Sequence, residues 1–402
     1  MQPNDILPPA LEQGFCPLSQ LSHPRPLKSE SPYPFLRVLL NLALEEESQA
    51  ILHTLLPSFS SQELRRDLSL LSRVEARQAV SLTGWLKERN RPEILGLHFS
   101  LLSLELAASL AQRMNDGPVR RTLDFFIPEY LDELYRLVNL LSLNETDPLQ
   151  TLLGGYAEIM PGRPLIACHR HPYDCVARSA SSLSLWERIA LLTLSAVEKE
   201  KYRGFLWLAG TSRDTLSSGF FAELSVLSQQ HLVQYASLRP PAPPLEEILF
   251  SQYTECYLYD ACAQLCPNQD LAHFALEERD HEYAHTKKAA HWLALESGEK
   301  KPLPAFPPPL SLGPCKGYVR DTLQNIGVTA QREEYVPVGT LPRGADFFRY
   351  QKRVCPDAAS VPSHRVVESV IRRSGCDYRF EIAPHPVEIL RDRAYDHTDL
   401  GR

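Results

Sequence analysis

The sequence predicts an all-α protein with two tandem four-helix bundles and a small irregular C-terminal region. Two leucine-rich stretches, 35–142 and 183–298, repeat their apolar residues with helical period. Breaks that contain proline, glycine or asparagine divide each stretch into four segments, the pattern of antiparallel helices joined by short loops. The tail, 299–402, begins with the proline-rich KKPLPAFPPPL and then shows two short strand-like pieces, EYVPV and YRFEIA, and one helical segment near 362–373.

The elements follow from where these breaks fall. Residues 1–34 are rich in proline without helical period, so we expect an extended, proline-rich leader. The first bundle is predicted from helices at 35–56, 61–89, 92–115 and 123–142. An irregular connection, 143–182, follows. The second bundle is predicted from helices at 183–209, 215–238, 245–266 and 270–296.

Composition narrows the classes of protein to consider. The 402-residue chain is 44% hydrophobic and 23% charged, which is ordinary for a globular protein. A net charge of −7 gives no reason to expect nucleic acid or an anionic membrane as a partner. No apolar run reaches the length of about 18 residues that a membrane span needs, and the N-terminus does not resemble a secretory signal. We therefore expect a cytoplasmic protein.

Acidic residues stand inside the apolar stripes of the second stretch. Glu198, His231 and Glu255 each have apolar residues one and two turns away, so all three should be buried. Glu282 and His285 are three residues apart and share a helix face flanked by alanines. Buried carboxylates need a metal, a basic partner or a proton. Iron or manganese suits this mixture of carboxylate and imidazole.

The order of these residues resembles the ferritin-like superfamily, in the rubrerythrin style. The match is carried within 183–296 by AVEKEKYRGF, LSQQHLVQYASL, YTECYLYDAC and HEYAH. The resemblance implies one or two metal ions held by four successive helices, with the ligands Glu198, His231, Glu255, Glu282 and His285. It also implies that Tyr202 and Tyr259, each one turn from a ligand, act as donors beside the metal or as radical sinks.

The sequence differs from the family pattern in two places. The second of these helices has Ser228 where the family has an acid, so the site would hold one metal, hold two weakly or be a relic. The first stretch shows a fainter version of the pattern. Its acids near apolar stripes are Glu46, Glu47, Glu75, Glu105 and Glu129, and the partner positions after Glu75 and Glu129 hold Gln78 and Asp132 in place of histidine. We therefore expect the first bundle to be a scaffold or a degenerate copy.

The same residues admit other interpretations. Glu198, His231 and Glu255 could form a hydrogen-bonded polar network in the core without a metal. The register of the last helix could shift, which would make Glu278 and His281 the chelating pair, although the flanking alanines favour Glu282 and His285.

The cysteines give less information about function than the buried acids do. Nine are present, an odd number without a CxxC pair, so neither a disulfide framework nor a zinc knuckle is indicated. Cys262 and Cys266 are one turn apart and could bind a soft metal with Cys256, but buried helical cysteines are usually small apolar residues. The segment 168–174 (CHRHPYD) is rich in candidate ligands, and a proline-containing turn packed on a bundle is the simpler interpretation.

From the resemblance we expect a ferritin-like metal-binding protein, a non-haem iron or manganese oxidoreductase that acts with dioxygen or peroxide on an unidentified substrate. The alternative is a metal-free ferritin-like helical scaffold used for protein interaction or assembly. We expect neither nucleic acid nor a membrane as a partner, and a homo-oligomer remains open. Glycine-rich phosphate loops, GxSxG and HExxH are all missing, so the enzyme classes they mark find no support.

Overall fold

The computed structural model describes most of the chain between Pro26 and Gly375. The described residues are 26–27, 29, 31–86, 92–144, 156, 168–176, 182–299, 302–324, 328–330, 335–337, 341–357 and 360–375. Most of the predicted leader and connection, and the strand-like YRFEIA at 378–383, lie outside these ranges.

The described part of the chain is all-α, as predicted. Its eight long helices are α1 (Tyr33–Leu55), α2 (Gln62–Trp85), α3 (Pro92–Ala111), α4 (Pro118–Asn144), α5 (Leu185–Thr211), α6 (Thr215–Leu238), α7 (Pro244–Leu265) and α8 (Gln269–Ser297). These bounds lie within a few residues of the predicted ones. Only α4 begins notably earlier, because proline at the first helical position starts a helix well.

Local signals in the sequence account for the helix ends. The side chain of Ser61 caps α2 by accepting a hydrogen bond from the Leu64 amide. Ser184 and Glu187 form a reciprocal capping box at the start of α5. The helix α8 ends at Gly298, whose φ of 73° is a left-handed conformation that glycine adopts without strain.

The helices group into two compact units, and the tandem arrangement is not confirmed. Unit 1 contains α1, α2, α7, α8 and the start of the tail up to Ser311, whereas unit 2 contains α3, α4, α5 and α6 together with the described part of the tail from Leu312 onwards. The first and last helix pairs therefore share a unit, and the middle four helices form the other. Helical period specifies which face of each helix is buried, but it does not specify which helix covers that face. The sequence therefore suggested the simpler order, in which four consecutive helices form each bundle.

The tail has more regular structure than the predicted irregular region. It contains α9 (Lys316–Gln324), α10 (Asp346–Val354) and α11 (Pro362–Ser374). Two short antiparallel strands, β1 (Val328–Ala330) and β2 (Tyr335–Pro337), pair with Thr329 opposite Val336. The helix α11 and the strand at YVP lie where the sequence indicated a helix and a strand.

One helix in the described residues is long and apolar enough to cross a membrane. It is the segment Glu93–Ala111 of α3, and 89% of its apolar window is buried within the protein. Burial of this kind is typical of a core helix in a soluble protein.

Candidate metal centre

Unit 1 brings acidic side chains from all four of its helices together. Glu45 of α1, Glu75 of α2, Glu255 of α7, and Glu282 with His285 of α8 form a group that we call the carboxylate cluster. None of the five side chains is more than 2% exposed. A group of this charge in a bundle interior must be neutralised, since a buried unpaired carboxylate is costly.

Two apolar clusters enclose the carboxylate cluster along the bundle. Towards one end, Leu52, Leu71, Ile248 and Ala289 belong to a buried core that includes Trp292. Towards the other end, a second core contains Val38, Leu82, Cys262, Ala275 and the ring of Tyr259. These residues come from the same four helices, before and after the acids in each sequence. The acids therefore lie in a polar layer between two layers that exclude water.

Amide and hydroxyl groups orient the carboxylates. The Gln78 amide donates to Glu282 over 2.7 Å, and the Gln252 amide donates to Glu75 over 3.0 Å and to Glu255 over 2.7 Å. The Tyr259 hydroxyl donates to Glu45 over 2.6 Å. Each donor is neutral, so the contacts position the oxygens without cancelling their charge.

The pKa values of the cluster show that its negative charges are only weakly balanced. Burial, together with the other carboxylates, raises the pKa of Glu75 to about 7 and those of Glu45 and Glu255 well above their usual range. Burial alone would lower the pKa of His285, but the Glu282 carboxylate beside it raises that pKa above its ordinary value.

No lysine or arginine among the described residues forms an ion pair with the four glutamates. Several atoms of the cluster are also buried without a hydrogen-bond partner in this part of the chain. They are Glu45 Oε2, Glu75 Oε2, Gln78 Oε1, Glu255 Oε1, Glu282 Oε2 and His285 Nε2. Buried polar atoms are normally paired, so an unpaired set in one place indicates a missing cation or missing protons.

The geometry contains two overlapping groups of candidate ligands. Glu75, Glu282 and His285 offer ligand atoms within 4.8 Å of one another, and Glu45, Glu75 and Glu255 do the same. Glu75 belongs to both groups. These buried carboxylate and histidine side chains could hold a metal ion, and a shared carboxylate is the arrangement that lets two ions lie side by side.

Unit 2 also buries acids, but it neutralises them with its own cations. The ion-pair network consists of Glu129, Glu133, Glu198, Lys201, His231 and Arg170. The Lys201 ammonium lies 3.0 Å from Glu198 and 3.2 Å from Glu133. The two ring nitrogens of His231 face Glu129 at 2.8 Å and Glu198 at 3.3 Å. With Arg170 at 3.9 Å from Glu129, three carboxylates face three basic side chains.

The pKa values in this network move in the directions of true ion pairs. Burial alone would raise the pKa of Glu198, but Lys201 and His231 bring it down to about 2. Burial alone would lower the pKa values of Lys201 and His231, but their carboxylate partners raise both. Both ring nitrogens of His231 therefore face carboxylates in this network, and neither is free to bind a metal.

The structure does not gather the five predicted ligands in one bundle. Glu255, Glu282 and His285 lie in unit 1, whereas Glu198 and His231 lie in unit 2. The reason is the helix grouping, because α7 and α8 pair with α1 and α2. Glu282 and His285 are buried whereas Glu278 and His281 remain partly exposed, so the face flanked by alanines is the buried face of α8.

Tyr202 and Tyr259, which the resemblance placed beside the metal, lie in different units. Tyr259 is buried in unit 1 with its hydroxyl on Glu45, beside the carboxylate cluster as expected. Tyr202 lies in unit 2 and is only partly buried. Tyr202 is therefore not part of the unit that contains the carboxylate cluster, and its predicted role beside a metal has no support.

Sequence reasoning missed Glu45 and undervalued Glu75 and Gln78. Glu45 is seven residues from both Val38 and Leu52, so the same test that found Glu198 would have found it. The adjacent Glu46 and Glu47, which are half-buried, obscured the phase of that helix. Once Glu45 and Glu75 join Glu255 and Glu282, four carboxylates are present and the serine at position 228 no longer leaves an acid missing.

The CHRHPYD segment forms a turn packed on unit 2. Pro172–Cys175 is a 3₁₀ turn, and His169 contacts Glu223 at 3.1 Å. The Arg170 amide donates to Gln230 and its guanidinium to Gln234, both over 2.9 Å. This segment therefore supplies a cation to the ion-pair network, and the simpler interpretation of it holds.

No protein-family model, curated protein or solved structure matches the chain. The class of protein is therefore inferred from the two units and their buried charges.

Proposed function

We propose that unit 1 is a ferritin-like carboxylate bundle that binds two iron or manganese ions and uses them in oxidoreductase chemistry with dioxygen or peroxide. The observation that carries this proposal is the carboxylate cluster, in which four buried glutamates meet one histidine, His285, and pair with no lysine or arginine of the described residues. The order of ligands along α1, α2, α7 and α8 is Glu, Glu-x-x-Gln, Glu and Glu-x-x-His. This order differs from the arrangement of di-metal bundles at one position, Gln78.

Charge balance supports two ions. Two divalent ions carry four positive charges, which four ionised glutamates balance. One position is served by Glu75, Glu282 and His285, and the other by Glu45, Glu75 and Glu255. The unpaired Gln78 Oε1 is a neutral oxygen donor where the family has a nitrogen donor. Mixed carboxylate and imidazole donors suit iron and manganese.

The residues of the chain would prepare the site in three ways. The amides of Gln78 and Gln252 hold the carboxylates in place, so that their unpaired oxygens remain directed at the ions. The apolar layers on either side exclude water. Tyr259 donates to Glu45, which places a redox-active side chain in direct contact with the cluster. When bound, the metal pair supplies the electrons for reduction of dioxygen or peroxide.

Elemental analysis of the full-length protein tests this proposal. We expect about two iron or manganese ions per chain after anaerobic loading, as charge balance requires. Glu75→Ala should lose both ions, because Glu75 belongs to both ligand groups. Glu198→Ala is the matched control, since it removes an equally buried glutamate that the ion-pair network already neutralises. Equal metal content in the wild type and Glu75→Ala, or loss in Glu198→Ala alone, would contradict the proposal.

The alternative of a metal-free scaffold has support in unit 2. Its three acids are matched by three cations, so it needs no metal to fold. We propose that this unit is a helical scaffold. A wild-type protein that binds no metal would extend the scaffold function to the whole chain.

A further inference from the structure

One face of α7 carries four reactive side chains in a row. Glu255, Tyr259, Cys262 and Cys266 are spaced by four, three and four residues, so they follow one stripe of the helix. The stripe begins in the carboxylate cluster and runs about 16 Å along the helix axis. Tyr259 contacts the cluster through Glu45, and Cys262 shares its buried apolar core with Tyr259. Cys266 ends the stripe, where it is only partly buried.

Cys262 and Cys266 are placed to form a disulfide. The Cys266 amide donates to the Cys262 carbonyl over 2.9 Å, so the helical spacing continues to the last residue. That spacing puts the two Cα atoms about 6 Å apart, within the range of disulfides, and the two Cβ atoms about 5–6 Å apart, so the last turn must tighten for the bond to close. The two thiols are hydrogen-bonded to each other. Cys266 is the cap residue, beyond the last helical residue Leu265, and its backbone is already extended, so the movement that closes the bond is confined to the end of the helix.

The surroundings of the pair favour a thiolate on the outer cysteine. Its hydrogen bond with Cys262 lowers the pKa of Cys266 to about 7, although burial opposes the shift. The guanidinium of Arg37, itself 5% exposed, interacts electrostatically with both thiols. The partly exposed position leaves Cys266 open to a small external thiol, whereas Cys262 stays inside.

We propose that Cys262 and Cys266 form a reversible dithiol that supplies electrons to the metal centre through Tyr259. This role rests on the proposed function for its electron acceptor, but formation of the disulfide does not. The chemistry is a two-electron oxidation. The two S–H bonds break, one S–S bond forms, two protons leave to solvent, and each of two oxidised metal ions accepts one electron. A low-molecular-weight thiol restores the pair by thiol–disulfide exchange at Cys266.

Two parallel treatments of the reduced full-length chain test the proposal. In the first, diamide oxidises the protein without added metal, and alkylation with peptide mass mapping counts the thiols. We expect two fewer free thiols per chain and a peptide cross-linked between Cys262 and Cys266. In the second, the protein is loaded with ferrous iron without oxygen and then receives one equivalent of hydrogen peroxide. We expect the same cross-link, formed faster than in the metal-free protein given the same peroxide.

Two tyrosine variants show whether the stripe conducts electrons. Tyr259→Phe should slow the peroxide-driven cross-link on the order of tenfold, the effect of a barrier higher by about 1.4 kcal/mol, and leave the diamide reaction unchanged. Tyr257→Phe is the matched control, because Tyr257 is a buried tyrosine of the same helix whose hydroxyl contacts Pro308 instead. It should behave as the wild type in both treatments.

The outcomes separate the two proposals. Failure of the chain to bind iron overturns the metal centre, while the diamide treatment still tests the dithiol. Absence of the 262–266 cross-link under diamide overturns the dithiol even if two metal ions bind. A peroxide-driven cross-link that forms as fast in Tyr259→Phe as in the wild type overturns the path through Tyr259.

Discussion

Units 1 and 2 each bury glutamates among their own four helices, but the two units differ in what surrounds these negative charges. Unit 2 places Lys201, His231 and Arg170 among its acids, and the pKa of Glu198 falls to about 2. In the described part of unit 1, the acids face His285 and neutral donors but no lysine or arginine, and the pKa of Glu75 rises to about 7. The comparison shows that a buried carboxylate alone does not indicate a metal site. The informative feature is that no lysine or arginine in the described part of unit 1 pairs with its four glutamates.

Removal of the central cation of unit 2 is the largest expected effect. Lys201→Met leaves Glu133 and Glu198 without their ammonium partner in the core, which should lower the free energy of unfolding by about 3–5 kcal/mol. Urea denaturation measures this change. Lys288→Met is the control, since Lys288 pairs with Asp67 at 3.1 Å where both side chains are partly exposed, and it should cost about 1 kcal/mol or less. Equal effects of the two substitutions would show that Lys201 does not neutralise buried acids.

A lysine placed in unit 1 should convert it towards the chemistry of unit 2. Gln78→Lys puts an ammonium next to Glu282, where it competes with a metal ion for the same oxygens. We expect metal binding to weaken about 10–100-fold, the range found when a residue that holds a ligand is changed. Gln78→His is the matched variant, because imidazole adds a nitrogen donor, and it should keep or strengthen binding. Titration with ferrous iron measures both, and weaker binding in the histidine variant would place Gln78 away from the ions.

The carboxyl groups of Glu75 in unit 1 and Glu198 in unit 2 should also contribute to stability with opposite dependence on pH. A raised pKa means that the folded metal-free protein holds the proton of Glu75 more tightly than the unfolded chain does. Its contribution to stability is complete below about pH 4.5 and is lost as pH rises through about 7. Between pH 5.5 and 8 the metal-free protein should therefore lose on the order of 2 kcal/mol of unfolding free energy from this group.

Glu75→Gln should remove most of this loss, because an amide does not ionise. Glu198 contributes in the reverse sense, with stability present above about pH 4.5 and lost as pH falls through about 2. Glu198→Gln should therefore be less stable than the wild type at both pH 5.5 and 8. Urea denaturation with a chelator present measures each variant, and identical pH profiles for Glu75→Gln and the wild type would contradict the origin of the effect.

The sequence predicted the local structure well and the grouping of helices poorly. Proline breaks and capping residues such as Ser61 are local, so most helix bounds lie within a few residues of the prediction. The choice between Glu282–His285 and Glu278–His281 was also local, since flanking alanines marked the buried face. Pairing of α1 with α7, by contrast, depends on side-chain fit between segments about 200 residues apart, and no periodicity in one segment reveals its distant partner.

That one missing fact accounts for the incomplete site. With α7 and α8 assigned to α5 and α6, Glu198 and His231 looked like ligands, and Ser228 looked like a lost acid. The presence of Lys201 three residues after Glu198 was the available sign that this acid is neutralised internally. Gln78 after Glu75 was the available sign of a ligand position in unit 1.

The helices of unit 1 are separated in the sequence by those of unit 2, and this order determines when each unit can fold during synthesis. The ribosome releases α1 and α2 first and must then complete the four helices of unit 2 before α7 and α8 emerge. The contact between Tyr259 and Glu45 joins residues 214 positions apart. At typical rates of synthesis, α1 and α2 wait on the order of ten seconds or more for their partners. Glu45 and Glu75 stay hydrated during this delay, so loading with metal would be among the last events in the biogenesis of the protein.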